Sequence, residues 1–400
     1  MSRLIKTESF LNLDNLVNYS IILFFIFNFI SRDISNLFLI LLFFLSLYGI
    51  YVRKMIFDEF DKKYLFLVLI FIIYLIVNTM IMGSKINEID NYSRLLFLFP
   101  LFILLKNTSV SKIDIILICQ ICLVIAFSNF LLNHYPSNER YMGTSSSSIT
   151  YGNIVMTIII VLLYNTFNVK KTQIILLNIL IITLGLVVWA ETLTRGSLAG
   201  LTLALIYIAY INRNKIKLIF LSFIVIIFFI SNSSISERIY STYENIRSVS
   251  SFELMNSTIE NRSENQRVAY ILYALTQIQE KPFIGIGASN VSEPMRIYFR
   301  SNGYLVAQSD HFHNEYLDVI TKFGLIGFIL FFLIFFSIYQ QIKKSKFIFF
   351  RDISMLLLLS QLGFMLFQSQ FAHHQAITFF LIFLYYTLSQ CTNSSDNRNY

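Results

Sequence analysis

Apolar runs separated by short polar breaks repeat along nearly the whole chain. Leu65–Val77, Ile174–Ala190 and Leu218–Ile230 show the pattern most plainly. Each is long enough to span, or nearly span, a hydrocarbon core about 30 Å thick as a helix. The pattern predicts twelve spans, roughly 16–31, 34–52, 64–82, 95–106, 113–132, 150–168, 173–190, 196–211, 218–231, 316–340, 348–368 and 374–390. The fold class is therefore an all-α polytopic membrane protein. Its expected organisation is helices 1–9 over 1–231, one large loop over 232–315, helices 10–12 over 316–390 and a tail over 391–400. The large loop opens polar, rich in Ser, Asn and Glu, over Ser231–Asn265. Residues 266–280 then read as an amphipathic helix, with Val268, Ile271, Leu272, Leu275 and Ile278 at three- and four-residue spacing. Pro282 ends it, and Gly285-Ile-Gly287 makes a turn. Such a helix would lie along the membrane surface, with Arg267 in its first turn.

Composition agrees: 56% of the residues are hydrophobic, 14% are charged, and phenylalanine alone supplies 41. A soluble chain carries nearer a quarter charged residues. The net charge of +8 follows from topology and does not point to nucleic acid. With the N-terminus inside, the cytoplasmic segments hold eighteen Lys/Arg and the short outer loops five. That bias places both termini in the cytoplasm and the 232–315 loop outside. The first apolar run lacks a small-residue cleavage site, so no cleavable signal peptide is expected. No internal repeat appears, which argues against carriers built from two related halves.

The candidate chemistry gathers at the outer ends of the spans. His311-Phe-His313-Asn314-Glu315 stands where the large loop re-enters the membrane. Imidazole, amide and carboxylate together are rare beside a membrane helix without a use for them. A neutral imidazole at His313 can take a proton from a hydroxyl. Asn314 can hold a sugar or order the turn, and Glu315 can orient the imidazole. Arg195, in Thr194-Arg195-Gly196-Ser197, offers a planar fork suited to phosphate oxygens. Arg267 adds a guanidinium near a helix N-terminus, where an anion is favoured. Glu191 can pair with an arginine. His373 and His374 face the same compartment, while His311 reads as a plain interfacial residue.

Several other signals carry nothing. Cys119-x-x-Cys122 falls inside span five, and three cysteines give no disulfide framework. Asp58-Glu-Phe-Asp61 reads as cytoplasmic loop charge. No Asp-x-Asp, Walker or dinucleotide glycine pattern occurs, so neither a nucleotide donor, a cofactor nor a dedicated metal is expected.

Taken in order, Arg195-Gly196, Arg267 followed by Pro282 and Gly285-x-Gly287, and His313-Asn314-x-x-Leu317 with Gly324-x-x-Gly327 resemble the O-antigen ligase and polymerase superfamily. Asp90-Asn-Tyr-Ser-Arg94, leading into an apolar run with Pro100, is more similar to the ligase branch. Thr194 stands where many members have Ser. The resemblance implies a GT-C-like helical glycosyltransferase of the bacterial inner membrane, metal-independent and inverting, with its site on the periplasmic face. Its implied donor is a glycan on undecaprenyl diphosphate; the acceptor is lipid A–core for a ligase, or a second lipid-linked glycan for a polymerase. Arg195 and Arg267 would hold the diphosphate, His313 would serve the acceptor hydroxyl, and Asn314, Glu315, Arg94, Glu191, His373 and His374 would line the substrates. A lipid-linked-oligosaccharide flippase is an alternative of another class. It would need ionisable groups along a central cavity, whereas here they gather at one face.

Overall fold

The computed structural model describes residues 2–106, 112–135, 139–215, 263–301 and 309–391. Every regular element among them is helical: α1 (Ser2–Phe27), α2 (Arg32–Arg53), α3 (Glu59–Ile81), α4 (Asp90–Phe97), α5 (Phe99–Leu105), α6 (Lys112–Asn133), α7 (Ser148–Asn168), α8 (Thr172–Glu191), α9 (Ser197–Ile211), α10 (Ser263–Glu280), α11 (Ser292–Ser301), α12 (Glu315–Lys344), α13 (Ile348–Met365) and α14 (His374–Gln390), with three short 3-10 turns. Seven have the length and composition to cross a membrane: α2, α3, α6, α7, α8, α12 and α13. Leu13–Phe27 within α1, and α9, are shorter apolar helices. The expected ninth span (218–231), most of the polar loop (232–262), and the tail beyond Cys391 lie outside the described residues.

The expected 95–106 span is two helices that meet at Leu98. Pro100 has no N–H to continue a helical ladder, so it sits in the first turn of a new helix instead. Helices α7 and α14 form the centre of the bundle. Nearly all of Ser148–Asn168 is buried, and so is every residue from Ala376 to Gln390. Outer helices α2 and α8 expose Leu37, Phe44, Leu176 and Leu180, side chains that lipid tails can solvate. Helices α9 and α13 touch through Gly200 and Gly363. A Cβ on Gly363 would stand 2.5 Å from the Gly200 Cα, so only small residues permit this crossing.

A second, small core lies beyond the spans. It is built from Ala269, Tyr270, Tyr273 and Ala274 of α10, Ile286 and Val291 of the segment that follows, Met295 and Phe299 of α11, and Phe312. Small and aromatic positions turn inward, while Ile271, Leu272 and Leu275 are exposed. The aliphatic stripe was read correctly as one face, but the tyrosines bury larger rings against α11 and leave that stripe outward, as an interfacial helix requires. Helix α10 also begins at Ser263, so Arg267 sits in its second turn and gains little from the N-terminal dipole.

The two cores are joined at a break in α12. Gly324 has φ 67° and ψ −172°, which interrupts the helix in its upper third. The freed backbone groups find partners on the Pro282–Gly287 strap. Ile286 N donates to Thr321 O (2.9 Å), Gly287 N to Lys322 O (2.9 Å), and Leu325 N to Pro282 O (2.8 Å). Tyr74 Oη of α3 donates to Phe323 O (2.6 Å), and Asn78 Nδ2 donates to Ile284 O (2.6 Å). Irregular backbone within a spanning helix persists only when protein re-satisfies it in this way. Gly285 and Gly324 are needed because each opposes bare backbone: a Cβ on Gly324 would meet Phe283 at 2.2 Å, and one on Gly285 would meet Lys322 O at 2.5 Å. The strap thereby ties α10, and Arg267 with it, to the helix that begins two residues after His313.

Candidate functional site

The first turn of α12 is fixed before any chemistry is considered. Asn314 caps it, its Oδ1 accepting from Leu317 N (3.0 Å), while its Nδ2 donates to Leu366 O (3.0 Å). Both ends of this amide therefore serve structure. Asp318, buried one turn on, accepts from Phe312 N (3.2 Å), from Lys322 Nζ (3.1 Å) and from Ser369 Oγ. It clamps the histidine segment to the turn that follows α13. Glu315 is fully buried, accepting from Tyr92 Oη (2.9 Å) and Phe371 N (2.9 Å). Glu315 therefore does not orient the imidazole as expected; its oxygens hold α4 and the 370–372 turn. Tyr92 stacks on Phe371 at 4.9 Å as part of the same joint.

His313 projects from this clamped segment in a left-handed conformation, φ 54°, a strained backbone for a residue with a Cβ. Its ring stands 4.4 Å from that of His311 and 6.0 Å from that of Tyr270 on α10. His311 in turn lies 5.8 Å from His373. Three of the chain's five histidines thus converge, although they are sixty residues apart in sequence. His313 Nδ1 donates to Gln368 Oε1 (3.5 Å), and Gln368 Nε2 donates to His373 Nε2. An amide oxygen only accepts, so the first bond puts the proton on Nδ1 and leaves the lone pair on Nε2.

Burial pushes the His313 pKa down to about 4, with help from the neighbouring His311 and Arg267. Burial followed by His311 likewise pushes His373 down to about 4. Both imidazoles are neutral at physiological pH. Asp310 is held well below the usual carboxylate range by its hydrogen bond with His311 Nδ1, 2.6 Å away. Arg267, whose charge reaches His313, is thus brought to the site from α10.

Arg195 occupies the turn between α8 and α9. That turn is held by Thr194 Oγ1 donating to Ser148 O (3.2 Å) and by Trp189 Nε1 donating to Ser197 Oγ (2.6 Å). Gly196 abuts Phe367: a Cβ there would lie 2.8 Å from that of Phe367. The Arg195 turn therefore packs on the segment that supplies Gln368. Glu191 is half-buried, and no arginine forms an ion pair with it among the described residues. Its carbonyl accepts from Tyr141 N (3.0 Å).

Arg94 and His374 form a neighbouring pair. The guanidinium donates from Nε (3.1 Å) and Nη2 (2.5 Å) to His374 Nδ1, with Asp90 4.0 Å from Arg94. Because His373 and His374 are adjacent, this pair abuts the three-imidazole group. Among the described residues no three of His, Cys, Asp and Glu converge to hold a metal ion. Gln368, Asp318 and Tyr270 were missed from sequence. Gln368-Ser-Gln370 beside His373-His374, a polar knot at the end of an apolar helix, was the available signal.

These features define a polytopic helical membrane protein with an imidazole and guanidinium site at one end of its bundle. Residues 179–332 match the family described as O-antigen ligase, a likeness that supports a place in the O-antigen ligase superfamily. The matched stretch contains Glu191, Arg195, Arg267, His313, Asn314, Glu315 and the Gly324 break. Arg94, Gln368, His373 and His374 fall outside it. Members of the family are glycosyltransferase-like ligases and polymerases, which makes an enzyme of this kind the general expectation. A protein of Haemophilus influenzae (strain ATCC 51907 / DSM 11121 / KW20 / Rd), described as uncharacterized, is 25% identical over 290 residues, covering 70% of this chain and 73% of the relative.

Proposed function

We propose that this protein is an O-antigen ligase that moves a glycan from undecaprenyl diphosphate to a hydroxyl of lipid A–core. The reaction would take place at the periplasmic face of the bacterial inner membrane, in a twelve-span bundle with both termini cytoplasmic. What carries the reading is the placing of His313: its Nδ1 meets Gln368 Oε1 at 3.5 Å, and burial pushes its pKa down to about 4, so that Nε2 would serve an incoming hydroxyl. The acceptor oxygen attacks the anomeric carbon as the bond from that carbon to the diphosphate oxygen breaks. The hydroxyl proton passes to His313 Nε2, and the lipid diphosphate leaves. Arg267 and Arg195 stabilise the charge that grows on the diphosphate. Attack opposite the leaving group inverts the anomeric configuration, and the donor's own leaving group supplies the driving force. Arg94 and His374 line the same end and would meet an anionic part of the acceptor.

Deleting the gene in the source bacterium, and running lipopolysaccharide beside lipid-linked glycans, tests this. Core without O-antigen, while long lipid-linked glycan accumulates, is the expected result. Core bearing a single repeat unit would instead mean a polymerase, whose acceptor is a second lipid-linked glycan. Both pools unchanged would sink the O-antigen reading altogether.

A further inference from the structure

The carboxylate beside the histidine, Glu315, is committed to Tyr92 and Phe371, so the imidazole must be oriented by another group. We infer that Gln368 is the positioning residue of His313: its amide oxygen holds Nδ1–H, fixes the tautomer, and aims the Nε2 lone pair at the acceptor. The inference rests on the reading of His313 as general base. Gln368 is 2% exposed and fixed on every side. Its N donates to Phe364 O (3.0 Å), its Nε2 donates to His373, and the next residue, Ser369, is clamped to Asp318. The preceding carbonyls are held too, Leu366 O by Asn314 Nδ2 and Leu362 O by Tyr316 Oη (2.7 Å).

An amide here does what a carboxylate cannot. Both accept from Nδ1–H, but a carboxylate would also favour imidazolium and raise the histidine's pKa. The groups facing His313 do not supply that opposing charge at hydrogen-bonding distance. They are His311 on its own segment, Arg267 and Tyr270 on α10, Asp318 on α12, and His373, reached through Gln368 and His311. Asp318 acts only as the smallest of the influences on His313, because its oxygens are engaged elsewhere. The arrangement orients the imidazole without charging it, so its Nε2 lone pair is present at neutral pH.

The test uses the full-length protein in detergent or liposomes with a lipid-linked glycan donor. Gln368→Ala should lower kcat about 10- to 100-fold while leaving the donor KM little changed. Gln368→Glu keeps the acceptor oxygen and should recover much of that loss above neutral pH. Its acid limb should move upward by about 1–3 pH units. An acid limb in Gln368→Glu at the wild-type position would overturn the proposal, since a merely structural glutamine predicts that result. Nitrogen chemical shifts of labelled histidines give a readout independent of transfer. Wild-type His313 should show the Nδ1–H tautomer, and Gln368→Ala should lose that preference. A wild-type Nε2–H signature would also overturn the proposal. If the Nδ1–H signature depends on Gln368 but His313→Asn transfers normally, the positioning role stands and the general-base reading falls.

Discussion

At one end of the bundle, basic side chains meet carboxylates. Arg53 binds Asp14 (2.5 Å), Lys106 binds Asp61 (2.9 Å) and Asp58, and Arg351 binds Asp352 (3.0 Å), which also accepts from Tyr164 and Tyr207. At the other end the carboxylates are present but differently spent. Glu315 and Asp318 take backbone N–H groups, hydroxyls and Lys322; Asp90 stands 4.0 Å from Arg94 and Asp310 bonds His311, while Arg94 also donates to an imidazole and His313 donates to an amide. Neutralised ion pairs hold helices together and have little left to offer a ligand. Imidazoles kept neutral beside guanidinium groups can still exchange a proton or meet an anion. The two ends differ in how their charges are matched more than in burial, because both are well packed.

The largest effects should distinguish these ends. His313→Ala or Arg267→Ala should cut glycan transfer by at least about 100-fold without moving the thermal midpoint in detergent. Asp61→Ala should do the reverse, leaving Lys106 only its more exposed partner Asp58 and lowering the thermal midpoint while transfer per folded molecule is kept. Equal loss of transfer in both would break the comparison. Next comes the joint between the cores. Gly324→Ala must hold an alanine at φ 67° against the Phe283 backbone. At least about 1–3 kcal/mol of strain should lower both the thermal midpoint and transfer, because Arg267 and His313 are held to one another through that strap.

The pH dependence is a milder test. His313 and His373 have folded-state values of about 4, below the ordinary histidine value of about 6.5. As pH falls from about 6.5 toward 4, the unfolded chain takes up protons that the folded chain refuses. Their contribution to stability is therefore full above that window and lost through it. Transfer should be level from neutral pH down to well below 6, then fall as pH approaches 4. A limb near 6.5 would place His313 in a more open setting than the structure gives it. Asn314→Ala should cost about 1 kcal/mol as a lost helix cap, read as a small drop in thermal midpoint. Smallest of all, Glu293→Ala removes an exposed pair with Arg296 and should change neither readout.

Much of this was legible in the chain. Apolar runs dictate helices because an unpaired backbone cannot sit in hydrocarbon. Pro282 and Gly285-x-Gly287 marked the end of α10 and a turn, and the His313 segment stood out because imidazole, amide and carboxylate together are rare beside a membrane helix. Two readings failed because the local pattern does not show what the packed chain requires. Glu315 adjoins His313 in sequence, yet the helical turn aims its carboxylate at Tyr92 and Phe371. Periodicity also showed that the two faces of α10 differ, but not that its tyrosine face meets Phe312 and α11. The run expected over 95–106 hid the break at Leu98 before Pro100.

By itself the sequence determined an all-helical membrane chain, the polar knots at helix ends, and the residue types able to move a proton or meet a phosphate. Those follow from the solvation of backbone and side chains, which is local. Only the tertiary structure decided that Gln368 faces His313, that Glu315 and Asp318 are structural clamps, and that a broken α12 is completed by a strap from beyond α10. Hydrogen-bond partners separated by tens of residues, and by 223 for Tyr92 and Glu315, are set by how the helices pack, and no periodicity along the chain encodes them.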